Sequence, residues 1–250
     1  MSWFEAVAVL VAGMAAGTIN TIVGSGTLIT FPTLLAVGYP PVLANVSNTV
    51  GLVPASLSGA IGYRRELTGQ LSRLLRLGVA SLLGGVLGGV LLLVLPASAF
   101  DAIVPVLIGL GCVLVAVQPW VASKVAARYD APAHGSVWVW ALVFLAGIYG
   151  GYFGAAQGVL LVAILGIGLD ETMQRVNAAK NVLALLVNAV AALLFVLVAQ
   201  VDWAVAGLIA AGGIVGGQIG AGVGRRLPPL VLRGVIVAVG VVAVWQLLAG

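Results

Sequence analysis

A glycine-interrupted stretch occurs twice in this chain, at matching places in its two halves, and in an apolar sequence that pattern restricts the fold strongly. The first copy runs Gly17-Thr-Ile-Asn-Thr-Ile-Val-Gly24-Ser-Gly26 through Gly38 to Asn45 and Asn48. The second runs Gly147-Ile-Tyr-Gly-Gly-Tyr-Phe-Gly154-Ala-Ala-Gln-Gly158 through Gly168 to Asn177 and Asn181. Gly17, Gly24 and Gly38 return at an offset of 130, and the asparagines at 132 and 133. Gly84-Gly85-x-x-Gly88-Gly89 returns at an offset of 128 as Gly212-Gly213-x-x-Gly216-Gly217. One unit has been duplicated, and paired broken segments of this kind point to a binding site where the two copies meet.

The surrounding solvent follows from composition. Hydrophobic residues make up 62% of the chain and charged residues 7%, with a mean hydropathy of +1.22; a soluble domain carries about 25% charged residues. The chain reads as an all-α integral membrane protein, because long Leu/Ala/Gly-rich stretches replace the alternating ten-residue strands of a barrel. The single cysteine, Cys112, allows no internal disulfide and reads as a small core residue. The net charge of +4 comes from Lys and Arg in short loops, where they orient a membrane protein, so no nucleic-acid partner is expected. The N-terminus lacks a basic segment and a small-residue cleavage site, and Ser2 onward reads as the first membrane helix.

About 20 apolar residues span a bilayer core. Eight long helices are predicted at 2–23, 41–63, 72–95, 101–117, 137–153, 171–199, 203–223 and 230–248, with two half-length pieces at 27–37 and 159–167 after the glycine breaks. The halves are 1–122 and 137–250, joined by a cytoplasmic linker at 123–136 that holds Lys124, Arg128, Asp130, Pro132 and His134. Arg64, Arg65, Arg73 and Arg76 flank one loop and Arg225, Arg226 and Arg233 another, which places both, with the linker, in the cytoplasm. The loops at Asp101 and Asp202 carry no Lys or Arg and face the other side. Each unit then crosses the membrane an odd number of times, so the repeats are inverted and both termini are extracytoplasmic.

A helix broken inside a membrane needs protein or a water-filled cavity to take up its freed backbone groups. Asn20, Thr21, Gly24, Ser25, Gly26 and Thr27 at the first break, and Tyr149, Tyr152, Gly154 and Gln157 at the second, supply neutral donors and acceptors. The N-termini of the short helices add a positive dipole end suited to an anion. Close helix packing is the bland reading of the same glycines, and the preferred one for the Gly84 and Gly212 groups. Asn45 and Asn48, with Ser47 between them, share a helix face, as do Asn177 and Asn181, with Lys180 beside them. These asparagines line the site or merely bridge helices. Counted from Glu171, Lys180 lies roughly 13 Å into the core, where a cation costs at least about 2.5 kcal/mol unless paired or hydrated. It either faces a substrate cavity or snorkels to the near surface. Arg175 lies nearer the mouth.

Glu5, Asp101, Asp170, Glu171 and Asp202 all fall near predicted helix ends, so a carboxylate relay for protons or sodium has no candidate. His134 reads as a solvated loop residue. Metal clusters, nucleophile–base pairs and a phosphate loop are missing from the sequence, so neither an enzyme, a metal site, a cofactor nor an ATP-driven pump is expected.

The glycine break followed by Pro32 and Gly38, then Ala44-Asn-Val-Ser-Asn-Thr49, all echoed in the second half, resembles the sulfite exporter TauE/SafE family of inner-membrane transporters along essentially the whole chain. The family's usual pattern has a longer glycine run where this chain has Gly24-Ser-Gly26, and Gly154-Ala-Ala-Gln157 departs from it in the second half. The resemblance implies transport of small sulfur-containing anions such as sulfite, sulfoacetate or related organosulfonates. The reading that joins it to the residues is a multi-pass secondary transporter of the cell inner membrane, alternating access around a midplane site, with a small anion, the bilayer and a coupling ion as its partners. A passive anion channel is the rival; saturable flux with counterflow, as against unitary currents, separates the two.

Overall fold

Ser2 opens the first helix as half of a capping box: its hydroxyl accepts the Glu5 N–H while the Glu5 carboxylate accepts the Ser2 N–H at 2.6 Å. The computed structural model describes residues 1–125, 136–223, 234, 236–242, 244 and 245. Its helices are α1 (Trp3–Ile22), α2 (Thr27–Ala36), α3 (Pro41–Gly62), α4 (Leu71–Val94), α5 (Ala97–Val125), α6 (Val137–Tyr152), α7 (Gln157–Gly168), α8 (Met173–Val198) and α9 (Trp203–Val223). Residues 236–242 are also helical, and no strand occurs among the described residues. Pro41 starts α3 at a position where a missing N–H costs nothing.

Most expected boundaries fall within two residues of these. The exception is α5, which starts at Ala97, four residues before the expected 101, and continues past the expected stop at Val117 to Val125. It therefore enters the expected linker, whose remaining residues 126–135, with Arg128, Asp130, Pro132 and His134, lie outside the described residues. Arg225, Arg226 and Arg233, and most of the expected helix 230–248, also lie outside them. Five helices are long and apolar enough to cross a membrane: α1, α4, α5, α8 and α9. α6 has 16 residues, and α3, though 22 residues long, is diluted by Asn45, Ser47, Asn48, Thr49, Ser56 and Ser58.

Packing crosses from one half to the other. α4 of the first half lies against α6 and α8, and α9 of the second half against α1 and α3. The repeated glycines make these contacts close. A Cβ on Gly84 would sit 2.2 Å from Phe144 O and one on Gly88 2.1 Å from Ile148 O, both on α6. On α9, the same construction puts Gly212 2.2 Å from Leu10 O and Gly216 2.0 Å from Met14 O, both on α1. Helices in an apolar solvent associate through such small-residue contacts, so packing explains this motif.

Two polar knots tie loops from opposite halves. At one end Glu171 accepts from Arg73 Nη1 at 2.8 Å and from Arg175 Nε at 2.5 Å, while Arg175 Nη1 donates to Thr68 O and Gln70 Nε2 to Arg175 O. Burial pushes the Glu171 carboxyl up, but the hydrogen bonds from Arg175 and Arg73, with their charges, outweigh it and hold the group below the ordinary carboxylate value. At the other end Tyr39 OH donates to Asp202 Oδ2 at 3.0 Å, and the Asp202 N–H donates to Ser47 Oγ at 2.9 Å.

Gly216→Ala is expected to lower stability by about 1–3 kcal/mol, since the new methyl meets backbone that must move. Gly109→Ala, where a Cβ meets nothing within 4 Å, serves as the control. Thermal unfolding in detergent micelles measures both; equal melting temperatures would contradict the close α1–α9 approach.

Candidate functional site

The two breaks begin alike and differ where the short helix starts, Gly26 being right-handed and Ala156 left-handed. Ile19 O accepts the N–H groups of Val23 and Gly24, and Tyr149 O those of Phe153 and Gly154. Gly24 and Gly154 take φ values of +89° and +78°, a region that a side chain disfavours. The turned chains then meet: the Gly158 N–H, at the start of α7, donates to Gly24 O at 2.9 Å. A Cβ on either glycine would fall 2.4 Å from the other's Cα. Sequence alignment pairs Gly24 with Gly154, yet its contact is Gly158, which the repeat pattern did not single out as a partner.

The carbonyls left open at the end of α1 are taken up from α8. Lys180 Nζ donates to Asn20 O and Thr21 O, both at 3.0 Å, and Asn181 Nδ2 to Thr21 O at 3.4 Å. Lys180 is fully buried, so its chain turns inward and does not snorkel. With α8 starting at Met173 its Cα lies roughly 10 Å along the helix, shallower than the 13 Å counted from Glu171. An ammonium against the negative end of a helix is favourably placed. Its third N–H has no partner among the described residues. The matching end of α6 receives a neutral donor instead, Asn45 Nδ2 to Tyr152 O at 3.0 Å.

The remaining expected residues divide into two sets. Asn48 is buried with Thr30 Oγ1 donating to its Oδ1 at 2.5 Å and its own Nδ2 reaching Thr27 Oγ1 at 3.4 Å, which fixes α2 on α3. Thr21 Oγ1 donates back to Gly17 O, and Asn20 Nδ2 to Ser56 Oγ. Ser47 turns away from the breaks to the Asp202 N–H. Tyr149 OH donates to Ala155 O across the second break, and the Gln157 carboxamide lies directly over Gly150.

The other set is defined by unmet hydrogen bonds. Of eight buried side-chain polar atoms without a partner among the described residues, five belong to expected site residues: Ser25 Oγ, Asn45 Oδ1, Tyr152 OH, Gln157 Nε2 and Asn177 Oδ1. Buried polar atoms in folded proteins are ordinarily bonded, so each of these five is an exception that calls for an explanation. Side chains the sequence reading passed over complete the surroundings. Asn188 Nδ2 shares Ser56 Oγ with Asn20. Phe31, Phe100 and Phe153 pack edge to face beside the Tyr152 ring, with Phe31 and Phe153 centroids 5.1 Å apart. Phe31 and Phe100 sit in unremarkable apolar runs, so no local pattern flags them. A separate groove of about 520 Å³ runs along α5, lined by residues such as Cys112, Val113, Val241 and Trp245. Its lining is apolar and does not suit an anion.

These features accompany a clear relationship. The family model described as "Sulfite exporter TauE/SafE" matches residues 9–247. A probable membrane transporter protein, ORF9, of Sinorhizobium sp. is 28% identical over 250 residues, covering 96% of this chain and 90% of that one. A probable membrane transporter protein of Haemophilus influenzae is 28% identical, covering 84% and 81%. The probable membrane transporter protein YfcA of Escherichia coli K12 is likewise 28% identical, covering 94% and 86%. No solved structure matches the chain. Five apolar helices of spanning length, with this full-length match, make the chain a multi-pass membrane protein belonging to the TauE/SafE sulfite exporter family.

Proposed function

We propose that the protein is a secondary transporter of a small sulfur-containing anion, sulfite or an organosulfonate, held where the two helix breaks meet. The observation that carries this reading is three unmet donors at the breaks, Ser25 Oγ, Tyr152 OH and Gln157 Nε2, together with a buried lysine with a hydrogen to spare. Lys180 supplies the one positive charge, Asn45, Asn177 and Asn181 orient the ligand, and Ser25, Tyr152 and Gln157 complete its hydrogen bonds. A tetrahedral or pyramidal oxyanion suits several convergent neutral donors and one cation. Much of the site is enclosed, with Asn45 and Lys180 0% exposed, Ser25 1%, Gln157 3% and Asn181 4%, while Tyr152 and Asn177 are half-buried. That enclosure favours an occluded carrier over a channel. The name of the matching family supports the substrate class.

The same proposal includes inverted repeats with eight long helices and two return legs, in the inner membrane, with both termini outside. The crossed packing of α4 on α6 and α9 on α1 supports it, since an in-plane two-fold axis exchanges the two contacts. The polar knots support it as well: Arg73, beside a loop assigned to the cytoplasm, pairs with Glu171 just before α8, and Tyr39 reaches Asp202, in a loop assigned to the outside, just beyond the end of α8. Ser2→Cys in a Cys112→Ala background should react with an impermeant thiol reagent added outside whole cells, and Gly69→Cys should not. Reaction of Gly69→Cys alone would reverse the orientation.

Lys180→Gln removes a charge-assisted contact of roughly 1.5–3 kcal/mol, so affinity for the transported anion should fall about ten- to a hundredfold. The dissociation constant of sulfite for the folded variant decides: a value within about twofold of the parent would remove Lys180 from the site.

A further inference from the structure

Resting on the site proposed above, we infer that Lys180 also carries the coupling ion, so that one proton travels with each anion. In broken-helix transporters the open carbonyls at a half-helix C-terminus hold the coupling cation. Here the carbonyls in that position, Asn20 O and Thr21 O, hold the Lys180 ammonium. The cation belongs to the protein, and the ion that can come and go is its proton. The second break has no such charge, because its carbonyl at Tyr152 faces the Asn45 amide. The device is present once.

The surroundings leave Lys180 without a competitor. Five helices pack against α8: α1, α3, α4, α6 and α7. α3 and α7 contain no titratable residue. α1 contains only Glu5, in its first turn and roughly 22 Å from Asn20 along the helix. α4 carries Arg73 and Arg76 near its start, with Arg73 bound to Glu171. α6 contributes Tyr149 and Tyr152. On α8 itself Arg175 is bound to Glu171 and to Thr68 O. Among the described Asp, Glu, Lys and Arg residues Lys180 is thus the one that is fully buried.

The cycle balances. With the site open to one side, the Lys180 amine takes a proton from water and the anion binds beside the resulting ammonium, giving a neutral pair that crosses occluded. On the other side the anion leaves, and the ammonium is left without an opposite charge in an apolar interior. Release of its proton to water in the opened site restores the neutral amine, whose weaker hold on Asn20 O and Thr21 O frees the end of α1 for the return. For a monovalent anion the net movement is one anion and one proton together, without net charge.

The test uses the whole protein in liposomes, with potassium equal on both sides and valinomycin present to hold the membrane potential at zero. Labelled methanesulfonate is the probe, a monovalent sulfonate with no group that titrates near neutral pH. An outside medium one pH unit more acid should drive about tenfold accumulation, with protons entering alongside as read by an entrapped dye. Lys180→Arg keeps a charge that does not release its proton; whatever saturable anion exchange it shows should be indifferent to the pH gradient and bring in no protons. Lys180→Gln, neutral throughout, should also show no accumulation and serves where the arginine variant does not fold. Saturable anion exchange in the parent without accumulation or proton entry would overturn proton coupling while leaving the transporter reading intact. Proton-driven accumulation in either variant would overturn the assignment to Lys180. Failure of the parent to move either methanesulfonate or sulfite saturably would overturn the underlying transporter reading together with this one.

Discussion

A helix that stops inside an apolar solvent exposes carbonyls that nothing around it can hydrate, and the centre of this protein is organised by how those carbonyls are met. At the end of α1 the answer is Lys180 with Asn181, and at the end of α6 it is Asn45. Both donors reach across from the other half of the chain. The breaks therefore depend on the assembly of the two halves, and their contact at Gly24 and Gly158 leaves no room for a side chain on either residue.

Assembly in turn depends on the crossed packing. Where α4 meets α6 and α9 meets α1, glycines bring backbone against backbone, so the outer helices act as rigid braces. The polar knots at Glu171 and Asp202 close opposite ends of this frame. Neither knot lies at the breaks. Salt-bridge and tyrosine–carboxylate contacts near a surface are individually weak, so each knot can part without disturbing the close helix packing between them.

Much of this was legible in the sequence because the signals were local. Glycine spacing located the breaks, apolar length located most of the helices, and the position of Lys180 raised a choice between burial and snorkelling that the fold decides for burial. Partners far away in sequence were not legible. Nothing near Lys180 says that its ammonium will turn to carbonyls 160 and 159 residues earlier, and Ser47, which belongs with Asn45 and Asn48 by spacing, faces Asp202. α5 outran both of its expected ends, starting at Ala97 and reaching Val125. The aromatic cluster at Phe31, Phe100 and Phe153 draws one member from each of three segments, so it exists only in the folded chain.

The central claim is that the meeting of the two breaks is the anion site. Selenite, the heavier counterpart of sulfite, locates that site directly through its anomalous scattering in crystals of the protein. The account predicts one dominant selenium peak among Asn45, Tyr152, Asn177 and Lys180, its oxygens within roughly 4 Å of Lys180 Nζ, the reach of an ion pair. A dominant peak at Arg175, or along the apolar groove on α5, with no density at the breaks would contradict it.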